Sequence, residues 1–371
     1  MNVASRWPLL GLGRLGFVLN VALDMPDSTP PVAPPEVVQE HHFEDAEDLL
    51  DFLGPRGEHW NPDRDGWIFR GQSEDWALKP KLYRDGPWFD EFGLSIGSIL
   101  KVEKRQELRD VSQVLDKFAL ALDRAGVELP VSGPLHHDRR RRLAEGDTRE
   151  ELLPILALAQ HHGLPTPWLD WSFQPRTAAY FACSSLVWDR KPRCCEKPDC
   201  TNPDCKDNNG NPVFDERADK QGKLVVWCLR RPFFTPPPET DVDVVDGVWL
   251  TLESAPRGGN ARLHAQSGLF TWLHGPEAYK FGVDEHVKRL LSQKPAALLR
   301  YPGQKLPIMC KLTLPRHRAH RLLYLLAYDG VSAASIYPDH DGVVKSIKEH
   351  AWCDHRRSVA WLKYQILDKF P

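Results

Sequence analysis

The sequence predicts an α+β fold: a single mixed-sheet domain with flanking helices and a cysteine-containing insertion. Three observations predict it. Short aromatic and β-branched runs bounded by glycine, such as WIFRG at 67–71 and GKLVVWCL at 222–229, read as strands. Apolar residues at three-to-four spacing, as in 99–125, read as amphipathic helices. The two kinds of segment are interleaved without strict strand–helix–strand alternation, which favours α+β over a doubly wound sheet.

Composition sets outer limits. The 371 residues are 42% apolar and 27% charged, with a net charge of −3, which is ordinary globular material. That balance excludes a polybasic nucleic-acid coat, a collagen-like repeat and a wholly disordered chain. Thirteen tryptophans supply core, pocket or interface surface. No run of 18 to 20 apolar residues occurs, so no membrane span is expected. The apolar stretch at 9–23 is broken by Gly11, Gly13, Arg14, Gly16 and Asn20. Asp24 stands where a leader peptidase would need small residues, so a cytoplasmic chain with reduced thiols is the expectation.

The elements follow in order. Residues 1–38 read as a flexible extension and proline-rich linker, carrying Pro26, Pro30, Pro31, Pro34 and Pro35. The folded domain is expected over 39–352, followed by a tail at 353–371. Apolar positions between carboxylates predict a helix over 43–53, and 67–71 is a buried strand. Leu108, Val111, Leu115, Phe118 and Leu122 mark one face of the helix over 99–125. The run 136–142 (HHDRRRR) is a solvated face or a local patch for a polyanion. A capping box at Thr148–Glu151 precedes a helix over 150–162 that is apolar nearly all round, hence buried, and Gly163 closes it. A helix is predicted over 176–187, then a polar insertion over 191–221. Strands follow at 222–229, 248–252, 269–273 and 308–314, and helices at 318–327 and 343–350.

Two segments carry a resemblance. In the first, 67–80, Phe69-Arg70-Gly71 is followed by Trp76, Leu78 and Pro80. In the second, Gln160-His161-His162-Gly163-Leu164-Pro165-Thr166 leads to Leu169-Asp170-Trp171-Ser172 and on to Ala178-Ala179-Tyr180-Phe181-Ala182. Both resemble the FRG domain family, named for its Phe-Arg-Gly tripeptide. Residues 262–270 and 335–342 look like the family's later blocks. One departure is Pro167-Trp168, where a basic then an apolar residue is usual. The family's name describes a tripeptide, not a reaction. The order of blocks is in turn similar to that of the ADP-ribosyltransferase fold. There an early strand bears Arg-Gly, a second strand a small polar motif, a helix aromatic residues, and a third strand an acid.

The transferase resemblance implies NAD as substrate and transfer of ADP-ribose to a macromolecular target, protein or nucleic acid, or hydrolysis, in a bacterial toxin or defence effector. Under it Arg70 holds phosphate, since guanidinium offers five fixed donors, and Phe69 and Gly71 shape the site, with Gly71 presenting backbone to nicotinamide. Ser172 braces ribose, Trp171 or Tyr180 stacks, and Gln266 orients the sugar; His161 is a contact. Gln266 stands where the third strand normally bears glutamate, and an uncharged amide positions but cannot supply negative charge. Asp170, Glu253, Glu277 and Asp339 are the alternative carboxylates. Each residue also has a structural reading: Arg70 and Asp170 as a buried ion pair, His161 or His162 bonded at a helix end, Trp168 and Trp171 as core. A binding module for a nucleotide, nucleic acid or peptide that performs no chemistry is the competing function.

Cys194, Cys195, Cys200 and Cys205 lie within twelve residues of the insertion. They can close around a structural zinc, pair as disulfides or stay free. No P-loop, G-x-G-x-x-G, H-E-x-x-H or G-x-S-x-G motif is present, which argues against a P-loop ATPase, a kinase, a Rossmann dehydrogenase, a zincin and a nucleophile-elbow hydrolase.

Overall fold

The computed structural model describes residues 38–55, 66–84, 105–127, 153–188, 222–231, 244–254, 261–275, 277–293 and 307–354. The cysteine insertion with its zinc expectation at Cys194, Cys195, Cys200 and Cys205, the proline-rich linker and the basic run at 136–142 lie outside them. No helix among the described residues is long and apolar enough to cross a membrane.

The fold is α+β. Its seven strands are β1 (Val38–His42), β2 (Trp67–Gln72), β3 (Trp168–Ser172), β4 (Lys223–Arg230), β5 (Trp249–Glu253), β6 (Gly268–His274) and β7 (Met309–Pro315). The helices are α1 (Ala46–Phe52), α2 (Arg105–Arg124), α3 (Leu153–His161), α4 (Pro175–Trp188), α5 (Ala261–Ala265), α6 (Val283–Gln293), α7 (Ala319–Tyr328), α8 (Ala333–Ile336) and α9 (His340–Asp354). The strands form one mixed sheet in the order β1-β7-β4-β2-β3-β6-β5. β1 and β7 run parallel, and every other neighbouring pair is antiparallel.

β4 is an inner strand of the larger half, between β7 and β2. It is apolar along nearly its whole length because both faces are covered. Leu224, Val226 and Cys228 face one core, with Phe69, Leu312, Leu314 and residues of α1, α4 and α7. Val225, Trp227 and Leu229 face the other, with Ile68, Leu169, Trp171 and the apolar side of α6. A third cluster joins α2 and α3 to Trp168, Phe270 and Trp272. The predicted strands and helices among the described residues are all found, with boundaries moved by a few residues. β1, α5, α6 and α8 are additions, and β3 stands where only the transferase resemblance implied a strand.

The sheet is joined unevenly. β2 pairs with β4 along its whole length, and β3 pairs with β6 along its whole length. β2 and β3 share a single rung, Phe69 opposite Ser172. Beyond that rung the sheet splits, and the split makes the cleft described next.

Candidate functional site

The cleft encloses about 400 Å³, within the range of small-molecule sites. β2 places Arg70 on one wall. Where a ladder would continue, its Nη1 donates a 2.8 Å hydrogen bond to the Asp170 carbonyl on β3. The guanidinium thus stands in for a main-chain donor across the gap. Nη1 also lies 3.6 Å from the Asp170 carboxylate. Nε is buried without a partner. Burial pulls the Arg70 pKa down to about 10, opposed by Asp170, so the side chain stays charged at neutral pH.

Gly71 has a packing reason. A Cβ there would meet the Ala178 carbonyl oxygen at 1.8 Å and the Ala182 amide nitrogen at 2.6 Å. α4 lies directly on β2, and its small face (Ala178, Ala179, Ala182) is fully buried there. Pro175 opens that helix, where its missing N–H costs nothing.

Asp170 faces the cleft. Its side chain keeps 59% of its surface open, yet protein surrounds it closely enough that burial raises its pKa, with Arg70 the chief opposing influence. Openness to water tempers that rise. Gln160 closes the far side: Thr166 Oγ1 donates to Gln160 Oε1 at 2.5 Å, and the amide nitrogen donates to Asp170 Oδ1. Gln160 and His161 occupy the last turn of α3, which ends at Gly163 (φ +84°) with Leu164 N bonded to Ala159 O, a glycine C-terminus.

The opposite rim is a second cation cluster. Arg262 donates through Nε and Nη2 to Asp339 Oδ2 and approaches His161 Nε2 with Nη1 at 2.8 Å. Its guanidinium lies 5.6 Å from the Tyr337 ring centre. Burial, then Arg262, pulls the His161 pKa down to about 4, so the imidazole is neutral and accepts from Arg262. Arg84 completes the lining. Its Nε donates to Lys79 O at 2.7 Å, and burial lowers its pKa, opposed by Asp170. Three arginines against Asp170 and Asp339 leave the cleft cationic, which suits an anionic ligand.

Phe69, Arg70, Gly71, His161, Asp170, Trp171, Ser172 and Gln266 all line the cleft as expected for a common site. Several roles change. Tyr180 is not in the lining; it is 1% exposed and its hydroxyl donates to Glu349 at 2.6 Å, so it cannot stack on a ligand. Its neighbour Phe181 lines the cleft instead. The Trp171 indole sits in the opposite core with Nε1 bonded to Thr271 Oγ1, and the Phe69 ring is in the core under α4; neither is free to stack. The Ser172 hydroxyl is engaged, donating to the Gln266 carbonyl at 2.7 Å and accepting from Gln174 N at 2.9 Å. It braces the entry to α4. Of the alternative carboxylates, Glu253 accepts from Thr251, Glu277 pairs with Lys280 and Asp339 with Arg262. Asp170 alone lines the cleft among the described residues. Arg84, Arg262 and Tyr337 were not anticipated as site residues, although Arg262 and Tyr337 fall inside the two later blocks.

The neutral histidines predict an acid response. His161 and His286 both have pKa values lowered from 6.5 to about 4, burial being the first cause. His286 is 2% exposed with Nε2 unpartnered. The folded state therefore binds fewer protons than the unfolded one between those values, and stability falls as pH drops from about 6.5 to about 4. Thermal melts across that window check this. His286→Leu is expected to flatten the slope, and a variant with the wild-type slope would show that another group controls it.

Searches of curated proteins and of solved structures returned no match. A family model does match: that of the FRG domain, over residues 65–189. Those residues contain β2, α3, β3 and α4, the elements on both sides of the split. The chain thus carries an FRG domain at residues 65–189; the Arg70–Asp170 crossing lies within it, and Arg262, Gln266 and Tyr337 complete the cleft from beyond it.

Proposed function

We propose that the cleft binds NAD and that the protein is an ADP-ribosyltransferase-like enzyme, moving ADP-ribose to a macromolecular acceptor or to water. The observation that carries this reading is the Arg70–Asp170 crossing of the split sheet: a charged guanidinium with a free buried donor, beside a carboxylate open to the same cavity. Arg70, with Arg84 nearby, supplies a fixed fork for pyrophosphate. Asp170 supplies negative charge where a ribosyl cation would form. The bond broken is the ribose C1′–nicotinamide bond, its electron pair leaving with nicotinamide. The acceptor oxygen or nitrogen then bonds to C1′ and gives up its proton. The block order on β2, β3, α4 and the entry to β6 resembles that of the transferase fold. Because Asp170 must be ionised and burial raises its pKa, turnover is expected to fall on acidification, starting above the ordinary carboxylate range.

One observation favours the second reading, a module that binds without chemistry. Asp170 is already held by Arg70 and Gln160, and Gln266 brings no charge. Incubation with NAD labelled in its adenylate half, with and without cell lysate, separates the two. Label in protein or nucleic acid, with nicotinamide released, marks a transferase; nicotinamide alone marks a hydrolase. Asp170→Asn is expected to keep NAD binding and lower nicotinamide release about a hundredfold. NAD that binds to wild type and stays intact selects the module, and NAD that does not bind overturns both assignments of ligand.

A further inference from the structure

Gln72 has no place in the roles above. It closes β2 opposite Val225 of β4 and lines the cleft. It is 4% exposed. Both polar atoms of its side chain, Nε2 and Oε1, are buried without a hydrogen-bond partner. A buried amide with neither group satisfied is costly, and folded proteins retain few of them. Two residues along a strand returns the side chain to the same face, so Gln72 stands one strand repeat, about 7 Å, from Arg70. Arg70 Nε is likewise buried and unpartnered. Two residues that line one cleft therefore leave a donor, an acceptor and a guanidinium donor unmet just beneath its wall. A dry apolar cavity would leave them so; a ligand would not.

We propose that Gln72 is a specificity-determining residue that reads a planar group presenting an acceptor beside a donor, while Arg70 holds the attached phosphate. A primary amide returns two hydrogen bonds in that geometry: its oxygen accepts from a carboxamide N–H and its nitrogen donates to the carboxamide oxygen. The same pairing serves an adenine edge, where the 6-amino group donates and N7 accepts. The chemistry is shared by the two ends of NAD, and the inference rests on the nucleotide reading of the cleft.

The test is titration calorimetry of the full chain with three probes: NAD, ADP-ribose, which lacks the carboxamide, and nicotinamide mononucleotide, which lacks the adenine. Gln72→Met preserves length and removes both polar atoms. Gln72→Glu preserves shape and removes the donor. Loss of two hydrogen bonds to a buried partner is expected to weaken binding by about tenfold or more. If Gln72 reads the carboxamide, NAD and the mononucleotide weaken while ADP-ribose does not. If it reads adenine, NAD and ADP-ribose weaken while the mononucleotide does not. Without ligand, Gln72→Met is expected to melt no lower than wild type, since it removes two unsatisfied groups. Unchanged affinity for all three probes in both variants overturns the proposal, even where wild type cleaves NAD. A loss of affinity in a protein that binds NAD without cleaving it upholds the proposal and overturns the transferase reading instead. A wild-type chain that binds none of the probes overturns both.

Discussion

Gly71→Ala is expected to destabilise the protein by about 3 kcal/mol or more, at the upper end of overpacking effects. The reason is placement, not backbone freedom. The added methyl carbon would sit 1.8 Å from the Ala178 carbonyl oxygen and 2.6 Å from the Ala182 amide. Both are main-chain atoms of α4, so no side-chain rotation relieves the clash. The helix must lift from β2 or the strand must bend. α4 is pinned at its other side by the Tyr180–Glu349 bond, and Glu349 also accepts from Ala333 N at the start of α8. A shift therefore propagates into the α8–α9 corner. Thermal melting checks this, with a drop of roughly 6 °C or more expected. Gly126→Ala is the control: φ is +68° there, but nothing lies within 4 Å, so only about 1 kcal/mol of backbone strain is expected. Equal losses in the two variants would show that the close approach of α4 is not what requires glycine at 71.

That glycine shows where sequence reading succeeds and stops. β4, β7 and α3 were legible because their apolar runs are buried on both faces and leave no phase to choose. β1 was not: Val38-Gln-Glu-His-His is an edge strand paired only to β7, and its polar residues give no strand signal. α6 carried a signal that went unassigned, Val283, Val287, Leu290 and Leu291 at helical spacing, between two loops. At the site, residue types were legible and orientations were not. On β3 one face carries Trp168, Asp170 and Ser172 and the other Leu169 and Trp171, a parity set by the full ladder to β6 and kept by the single rung to β2. On α4 a turn of about 100° per residue separates a cleft-lining Phe181 from a core Tyr180, a phase set by the contact at Gly71 and by the Tyr180–Glu349 bond. Gly71 itself reads alike as a ligand platform or as room for a helix. Arg262 and Gln72 escaped notice as site residues because what singles them out, a charge pair at the cleft rim and an unsatisfied amide, exists only after folding.

Arg70→Ala is expected to lower NAD affinity by about a hundredfold or more, as for loss of a charge-assisted fork to phosphate, while the chain stays folded. The fold tolerates the change because Arg70 holds together only the split. β2 keeps its full ladder to β4 and β3 its full ladder to β6, so the two halves of the sheet survive. What is lost is the bond to the Asp170 carbonyl and the cation opposing the upward pull of burial on the Asp170 pKa. That carboxyl then rises further and turnover shifts to higher pH, a change that a purely steric role for Arg70 would not produce. Arg70→Lys restores the charge but not the planar fork, so the pH profile is expected to return while affinity recovers only in part. Near-UV circular dichroism and amide exchange provide the structural check: wild-type core signals with faster exchange at β3 are expected. An Arg70→Ala chain that loses its core signals would make the crossing a structural ion pair. An Arg70→Ala chain that binds NAD as tightly as wild type would remove the phosphate from Arg70, and with it the main reason for placing a nucleotide in the cleft.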